Sequence, residues 1–398
     1  MFSSLSVKNF RVYWLGMLVS LIGTWIQQVA QSWLVFQITS SAFLLGVVGF
    51  LNSIPVLILS LFGGVLADRI NKRTILIATQ VAFMFLAFLL AVLIQFKIIT
   101  PVQIMIIAIL NGVVMAFDAP ARQSIVVEFV GKKHLFNAIA LNSVAFNSSR
   151  IIGPALAGIL VATIGMSGCF YINGVSFLAV IIALYSIKLK HSRNLSQSSA
   201  FKDVKDGLIF IKNNRLILAL ISMVAVVSLF GVAHVILMPI FANDVLKVGI
   251  KGLGVLMSSA GCGALIGALI LARLGDSNHK GSLLLFSAMV FSVSLAIFSL
   301  SKTYLLSIFA LILVGLSSVI AVSLVNTLLQ LNVEDRFRGR VMSAFMLTFA
   351  GMMPFGNLIA GSLAHIAGVS IAVLFGGVVC TVFFAAINIA YPELKKLN

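Results

Sequence analysis

The chain has 398 residues, of which 61% are hydrophobic and 9% are charged, and its mean hydropathy is +1.16. An ordinary soluble domain carries about 25% charged residues, so this composition excludes a water-soluble protein. The formal net charge of +17 comes from cations dispersed through short polar segments. A nucleic-acid-binding protein gathers its cations on one face, and we therefore expect no nucleic-acid partner.

Twelve apolar stretches are each long enough to cross a membrane as a helix, which takes about 20 mostly apolar residues. Lys and Arg concentrate at the chain ends and in alternate gaps between these stretches. Loops rich in Lys and Arg stay on the cytoplasmic side because moving cations across the bilayer is unfavourable. The sequence therefore predicts an all-α, multi-pass protein of the cytoplasmic (inner) membrane with both termini in the cytoplasm. The predicted spans are 10–36, 43–67, 74–95, 101–119, 136–163, 168–189, 216–241, 249–274, 281–300, 303–330, 340–364 and 369–391.

One long polar stretch, residues 191–214, separates the first six spans from the last six. We predict an N-terminal six-helix bundle (1–190), a cytoplasmic linker (191–214) and a C-terminal six-helix bundle (215–398). The second part of the linker places Phe201, Val204, Leu208 and Ile211 at helical spacing, which is typical of an amphipathic helix lying on a membrane surface.

The two predicted bundles share a pattern of mostly small residues. Six residues recur 203 positions later in the chain, which indicates one repeat copied in the same orientation. Parallel repeats are typical of transporters with a substrate site near the middle of the membrane, where two pseudo-symmetric bundles meet. The recurring residues are Gly112, Gly153, Ala157, Gly158, Leu160 and Gly165, matched by Gly315, Gly356, Ala360, Gly361, Leu363 and Gly368.

The segment GGVLADRINKR, residues 63–73, resembles the Gly-x-x-x-Asp-Arg-x-x-x-Arg signature of the major facilitator superfamily. The resemblance implies the major facilitator fold, in which Asp68 meets the N-terminus of span eleven. Free amides and the helix dipole favour a carboxylate there. We expect Gly64 to allow close approach of helices, and Arg338 and Arg340 to stand just before span eleven.

A second segment, beginning AFDAPARQSIVVEF at Ala116, together with VEDRFRGRVMSA (333–344), resembles the exporter branch that contains enterobactin and macrolide exporters. This resemblance implies efflux of a siderophore or drug by a monomeric antiporter. It also extends to lysophospholipid transporters. From these two resemblances we predict a conformational latch. It comprises Gly64, Asp68, Arg69, Arg73, Asp118, Arg122, Arg338 and Arg340.

Arg150 lies about four turns into predicted span five, and no Asp or Glu occurs at a comparable depth in any predicted span. An intramembrane Arg faces a cavity or a partner, so Arg150 is our candidate for contact with an anionic substrate group. The alternative is that it only binds carbonyls freed by Pro154. The segment GPALAG resembles the span-five motif of facilitator antiporters, and we predict a helix bend at Gly153, Pro154 and Gly158.

Uncharged amides in the spans are candidates for a polar substrate cavity or for contacts between helices. Gln27 and Gln31 are one turn apart, as are Asn326 and Gln330, so each pair can share a helix face. The predicted substrate cavity comprises Gln27, Gln31, Asn147, Arg150, Asn326 and Gln330.

No GxxxxGK[ST] loop for ATP occurs in the sequence, so secondary transport driven by protons is the expected energy source. Candidate proton carriers are Asp68, Asp118 and His234, although a lone His in an apolar helix is more often a structural residue. The three cysteines lie in apolar stretches without metal-ligand spacing, and we expect neither metal nor other cofactor. Protons, membrane lipid and a small-molecule substrate are the expected partners.

The sequence thus predicts a proton-coupled exporter of an amphipathic small molecule by alternating access. A lysophospholipid flippase is the alternative within transport, and a receptor or scaffold that does not transport is the alternative of another class. An intramembrane enzyme needs a nucleophile with a base or a metal site, and the sequence offers neither pattern.

Overall fold

The computed structural model describes residues 3–187, 209–274 and 279–397, and these ranges contain no strand. Short 3-10 helices at Ser3–Ser6 and Pro392–Lys396 flank the apolar helices. The apolar helices are α1 (Lys8–Thr39), α2 (Ala42–Arg69), α3 (Lys72–Gln95), α4 (Pro101–Gly131), α5 (133–164), α6 (166–186), α7 (Arg215–Val245), α8 (Gly249–Arg273), α9 (Lys280–Leu300), α10 (Tyr304–Asn332), α11 (Asp335–Ala367) and α12 (Val369–Ala390).

One apolar helical stretch, Lys133–Ser186, is 54 residues long. A straight helix of that length would measure about 80 Å, whereas the hydrocarbon core of a bilayer is about 30 Å thick. Gly165 interrupts the stretch with a φ of 78°, a conformation that glycine adopts without steric cost. The described ranges contain eleven apolar helices when this stretch is counted as one. Dividing the stretch at Gly165 gives twelve, the predicted number.

The largest differences from the predicted boundaries are at the end of α4 and the start of α11, where charged residues continue the helices beyond their apolar parts. α4 continues to Gly131 instead of ending at 119, so Arg122 lies inside the helix and pairs with Asp118 four residues earlier. α11 begins at Asp335 instead of 340 and contains an Arg338–Asp335 pair. Pairs at this spacing stabilise a helix. Arg338 and Arg340 therefore lie in the first two turns of α11, not before it as expected.

α7 is less regular than the other spans. An α-helix, Arg215–Val226, is followed by a π-helical turn at Val227–Gly231, a short α-helix, His234–Ile240, and a second π-helical turn at Phe241–Val245. In the first π-turn the Val232 N–H donates to the Val227 carbonyl at 2.9 Å. Such turns insert an extra residue and disturb the packing periodicity of a helix.

Two compact units make up the fold. Unit 1 comprises Met1–Ser40, Leu51–Gln197 and Ile250–Ser258; unit 2 comprises Ser41–Phe50, Ser198–Gly249 and Ser259–Asn398, in both cases so far as the residues are described. Unit 1 thus includes the first part of α8, and most of the rest of α8 belongs to unit 2. Unit 2 likewise includes the first part of α2, and the rest of α2 belongs to unit 1. The division at 1–190, 191–214 and 215–398 stays a prediction.

The glycine repeat corresponds to equivalent contacts inside the two units. A Cβ on Gly153 would overlap Trp25 in unit 1, and a Cβ on Gly356 would meet the Ser228 carbonyl at 2.9 Å in unit 2. Both residues of the second contact lie 203 positions after those of the first. Gly165 and its counterpart Gly368 have φ of 78° and 90° and form the same turn. These contacts agree with a parallel repeat.

Most of the predicted linker, 191–208, lies outside the described residues, and so does most of its amphipathic helix. The end of the linker is described and packs within unit 2. Ile211 is buried, and the Phe210 ring stacks on Phe337 of α11 with 4.3 Å between centroids.

Candidate functional site

Asp118 and Arg122 form an ion pair on α4. Arg122 Nη2 lies 2.8 Å from Asp118 Oδ2, and Arg122 Nε donates to the same oxygen at 2.9 Å. Asp118 Oδ1 accepts hydrogen bonds from Thr79 Oγ1 and Gln80 Nε2 of α3, both at 2.8 Å. Asp118 is 1% exposed, and a charge removed from water in this way requires such partners. The predicted latch residues Asp118 and Arg122 are thus brought together inside unit 1.

Tyr13 of α1 completes this group. The residue is fully buried, and its ring packs on Phe129 with 5.0 Å between centroids. Its hydroxyl faces the Arg122 guanidinium. By strict hydrogen-bond geometry neither the Tyr13 hydroxyl nor Arg122 Nη1 has a partner among the described residues, although the two side chains lie close enough to interact. We call Tyr13, Thr79, Gln80, Asp118 and Arg122 the Asp118 cluster.

Two cations of the signature segment bind inside unit 1. Lys72 Nζ pairs with Glu128 of α4 at 2.5 Å. Arg73 Nη2 donates to the Tyr185 carbonyl at 3.0 Å, and its guanidinium lies 5.7 Å from the centroid of the Tyr185 ring. These side chains therefore tie the start of α3 to α4 and α6.

The remaining signature residues lie at the end of α2. Asp68 and Arg69 are exposed, and neither takes part in an ion pair among the described residues. The close approach expected at Gly64 is found one residue earlier. A Cβ on Gly63 would overlap the Ala116 carbonyl of α4, whereas a Cβ on Gly64 would meet no described atom within 4 Å. The role of Asp68 in a latch stays a prediction.

Arg338 and Arg340 bind groups inside unit 2. Arg338 pairs with Asp335 at 2.7 Å and donates through Nε to the Gln330 carbonyl at 3.0 Å. The Arg340 guanidinium lies 5.9 Å from the centroid of the Phe337 ring. The hydrogen bond to Gln330 joins the first turn of α11 to the end of α10, whereas the contacts with Asp335 and Phe337 lie within α11.

Arg150 is half-buried in α5. Within the described ranges its side chain makes no hydrogen bond or ion pair. The neighbouring Asn147 donates to the Ser143 carbonyl of its own helix at 2.8 Å. Arg150 therefore has no partner of opposite charge among the described residues, and its contact with a substrate stays a prediction.

The predicted amide pairs have different surroundings. Gln27 is buried and accepts a hydrogen bond from Asn173 Nδ2 of α6 at 2.6 Å, while Gln31 is half-buried. Gln330 Nε2 donates to Asn326 Oδ1 at 2.5 Å, so that pair does share a helix face. Their contact with a substrate stays a prediction.

The predicted bend residues are sites of close packing. A Cβ on Gly153 would overlap Trp25 of α1, and a Cβ on Gly158 would lie 3.1 Å from Lys251 Cα of α8. The Pro154 carbonyl faces Gly254, also in α8. Glycine at these positions lets the helices of unit 1 approach closely, and their role as a bend stays a prediction.

His234 lies in the irregular part of α7 and is buried. Its Nδ1 lies 2.6 Å from the Gly231 carbonyl, and its ring packs against Phe298. These contacts are typical of a structural histidine. In the described part of the chain no group of three or more His, Cys, Asp or Glu residues could hold a metal.

Sequence reasoning missed Tyr13, Thr79 and Gln80 in the Asp118 cluster. All three are polar residues within predicted apolar spans. A polar residue in an apolar span is a sign of a possible functional site, but many such residues only form contacts between helices.

The family model described as transmembrane secretion effector matches residues 1–398. The chain belongs to this family of the major facilitator superfamily. It is similar to the staphyloferrin A transporter of Staphylococcus aureus, with 26% identity over 349 residues and 87% of each chain covered. It is also similar to macrolide efflux protein A of Streptococcus pyogenes, with 23% identity and 98% of this chain and 97% of that chain covered.

A solved structure supports the fold. A bacterial homolog of the human lysosomal transporter Spinster, in an inward-facing and unoccupied conformation, matches with a TM-score of 0.76 at 12% identity and covers 98% of both chains. Family and fold identify the chain as a multi-pass membrane transporter whose relatives include exporters of siderophores, macrolides and other drugs. The fold and these relatives are those of transporters and not of enzymes.

Proposed function

We propose that this protein exports an amphipathic small molecule, either an acidic siderophore or a drug, across the cytoplasmic membrane. It works by alternating access coupled to protons, as a monomer with both termini in the cytoplasm. Support for export comes from relatives described as a staphyloferrin A transporter and a macrolide efflux protein. Lys and Arg concentrate in alternate gaps between the apolar stretches, and this pattern supports the cytoplasmic placement of both termini.

Arg150 is the observation that carries the substrate assignment. It is half-buried and has no partner among the described residues. An intramembrane cation without a counter-ion is unfavourable, so an anionic group of the cargo would stabilise it. This reasoning favours an acidic cargo over a neutral or basic one.

Asp118 is the candidate proton carrier. Asp68 is exposed, and His234 binds a backbone carbonyl of its own helix. Asp118 is buried and paired, so a change in its protonation would release Arg122 and alter contacts between α3 and α4.

Export can be tested with purified protein in liposomes, using staphyloferrin A, a macrolide and a lysophospholipid as cargoes. We expect uptake of the acidic cargo into liposomes by the protein molecules inserted with their cytoplasmic side outward, with proton movement in the opposite direction. Arg150→Ala should lower this uptake about 10- to 100-fold, the loss expected when a charged hydrogen bond is removed, and Arg150→Lys should retain part of it.

Arg215→Ala is the matched control, because Arg215 is exposed at the start of α7. That variant should transport as well as wild type. Unchanged uptake of all three cargoes by Arg150→Ala would contradict the substrate assignment. Lysophospholipid movement alone would indicate a flippase.

A further inference from the structure

One hydroxyl of α8 binds α5 next to Arg150. Ser258 Oγ donates to the Ile151 carbonyl at 2.7 Å, and both residues belong to unit 1. A hydroxyl inside a helix commonly donates to a carbonyl three or four residues earlier in its own helix, as Ser143 does at 3.1 Å. Ser258 instead uses its one proton to join two helices. Since that proton already has an acceptor, the hydroxyl acts on α5 and does not donate to a cargo.

The hydrogen bond belongs to a row of contacts between α5 and the first part of α8, within unit 1. A Cβ on Gly254 would overlap the Pro154 carbonyl, and a Cβ on Gly158 would lie 3.1 Å from Lys251 Cα. Small residues let membrane helices approach closely. This close approach brings the Ser258 hydroxyl within reach of a main-chain carbonyl of the neighbouring helix.

The turn of α5 that follows Arg150 has one internal hydrogen bond fewer than an ordinary helical turn. Pro154 has no N–H, so the Arg150 carbonyl lacks the donor that it would have four residues later. The next carbonyl, that of Ile151, is the one that accepts from Ser258. α8 therefore holds α5 at the point where α5 holds itself least.

Rotation around α5 places Arg150 between two packed faces. Gly153 lies against Trp25 of α1, and Gly158 lies against the first part of α8. With about 100° of rotation per residue, the Cβ of Arg150 points about 60° from that of Gly153 and about 80° from that of Gly158. The side chain of Arg150 therefore leaves α5 between α1 and α8, and a shift of α8 against α5 would change its surroundings.

The second half of the repeat lacks both the hydroxyl and the cation. Pro55 stands 203 positions before Ser258, and Met353 stands 203 positions after Arg150. α2 and α11 still pack closely in unit 2, where a Cβ on Gly361 would lie 2.7 Å from a Cα of α2. Close packing of this helix pair therefore does not need the hydroxyl, which occurs in the half that carries the cation.

We propose that Ser258 is a positioning residue for Arg150, whose hydrogen bond to α5 holds the guanidinium where it meets the anionic group of the cargo. The proposal rests on the export of an acidic cargo proposed above, and it adds α8 to the substrate site. A cation that is already oriented binds an anion more tightly, because less conformational freedom is lost on binding. Ser258 thus raises the affinity for the cargo without touching it.

The test is a double-mutant cycle on the binding of staphyloferrin A to the purified protein in detergent, measured by titration calorimetry. Ser258→Ala should raise Kd about threefold to tenfold, the range that one hydrogen bond between membrane helices can contribute. In the Arg150→Ala background the same change should have no further effect, because no guanidinium is left to position. A merely structural loss would weaken binding by the same factor in both backgrounds.

Two variants control the cycle. Ser258→Thr keeps a hydroxyl at this position and should recover most of the affinity. Ser287→Ala removes a buried hydroxyl of α9 that donates to the Leu284 carbonyl of its own helix at 2.9 Å, and it should bind as wild type does. An unchanged Kd in Ser258→Ala, or an equal factor of loss with and without Arg150, would overturn the proposal.

Failure of the proposed function has a different signature. If wild type neither binds staphyloferrin A nor moves it into liposomes, the assignment of an acidic cargo is wrong, and the role of Ser258 is wrong with it. If wild type binds and moves this cargo while Ser258→Ala binds it equally tightly, only the role of Ser258 is wrong.

Discussion

The two halves of the repeat share helix contacts but differ in their charges. The positions 203 residues after Asp118 and Arg122 are Ala321 and Val325. Both line a small apolar cavity in unit 2, together with Met223, Val224, Val227, Leu284, Ala288, Val322 and Phe384. The same helix position therefore carries a buried ion pair in the first half and aliphatic side chains in the second.

This difference indicates that the scaffold does not need the ion pair. Replacing a buried ion pair by apolar residues of similar size is often neutral or stabilising, and the second half provides such a replacement within the same chain. Arg150 is likewise replaced by an uncharged residue in the second half, because the residue 203 positions later is Met353. The counterpart positions of the second half thus carry no charge, which supports the proposal that the charges of the first half serve transport.

The largest effect on stability is expected when only one partner of the Asp118–Arg122 ion pair is removed. Asp118→Ala leaves a partly buried Arg122 without its counter-ion and should lower the free energy of unfolding by about 3–5 kcal/mol. The double variant D118A/R122V carries the residues of the second half and should recover most of this loss. Unfolding in detergent by heat or denaturant measures both variants.

The double variant should also transport without proton coupling, since it keeps the fold and lacks the carrier. Val325→Ala, at the matching place in unit 2, controls for loss of side-chain volume. Equal stability of the single and double variants would show that the unpaired charge of Arg122 is not the cause of the loss.

A second comparison concerns the glycines of α2 and α8. In unit 2, a Cβ on Gly267 would overlap the Leu316 carbonyl of α10. The counterpart of Gly267 is Gly64, yet the glycine in close contact in unit 1 is Gly63, whose counterpart is Ile266. One residue corresponds to about 100° of rotation around a helix axis. The two helices therefore present different faces to their neighbours.

Alanine substitutions test this difference. Gly63→Ala and Gly267→Ala should each lower the free energy of unfolding by about 1–3 kcal/mol, the usual effect of overpacking. Gly64→Ala should be neutral or should stabilise by up to about 1 kcal/mol, because alanine favours helix over glycine. Loss of stability in Gly64→Ala alone would show that Gly64 is the contact glycine.

Gly63 and Gly64 also show what could be predicted from the sequence. Spans and their number followed from the length of apolar stretches, and the repeat followed from glycines that recur at one spacing. A motif match gives a position in the chain but not the rotation of the helix, which is why Gly64 was chosen over Gly63. Hydrogen bonds between residues far apart in the chain could not be predicted. Gln27 and Asn173 are 146 residues apart, and nothing in the sequence near either residue indicates the other. Tyr13 was missed for the same reason.

The smallest difference between the halves concerns the contact of α1 with α6 and of α7 with α12. In unit 1 this contact includes the buried hydrogen bond between Gln27 and Asn173. The counterparts in unit 2 are Phe230 and Gly376, where a Cβ on Gly376 would lie 2.5 Å from the Phe230 carbonyl. A polar link in one half is replaced by close backbone packing next to the π-turn of α7 in the other.

A double-mutant cycle on Gln27→Ala and Asn173→Ala measures the strength of this link. Hydrogen bonds between membrane helices average about 0.6 kcal/mol and reach about 1.7 kcal/mol, and we expect a coupling energy within that range. If Gln27 only joins α1 to α6, both single variants should change transport equally, because each breaks the same bond. If Gln27 also contacts the cargo, Gln27→Ala should weaken transport more than Asn173→Ala does. The comparison of the two variants therefore separates the helix contact from the predicted substrate contact.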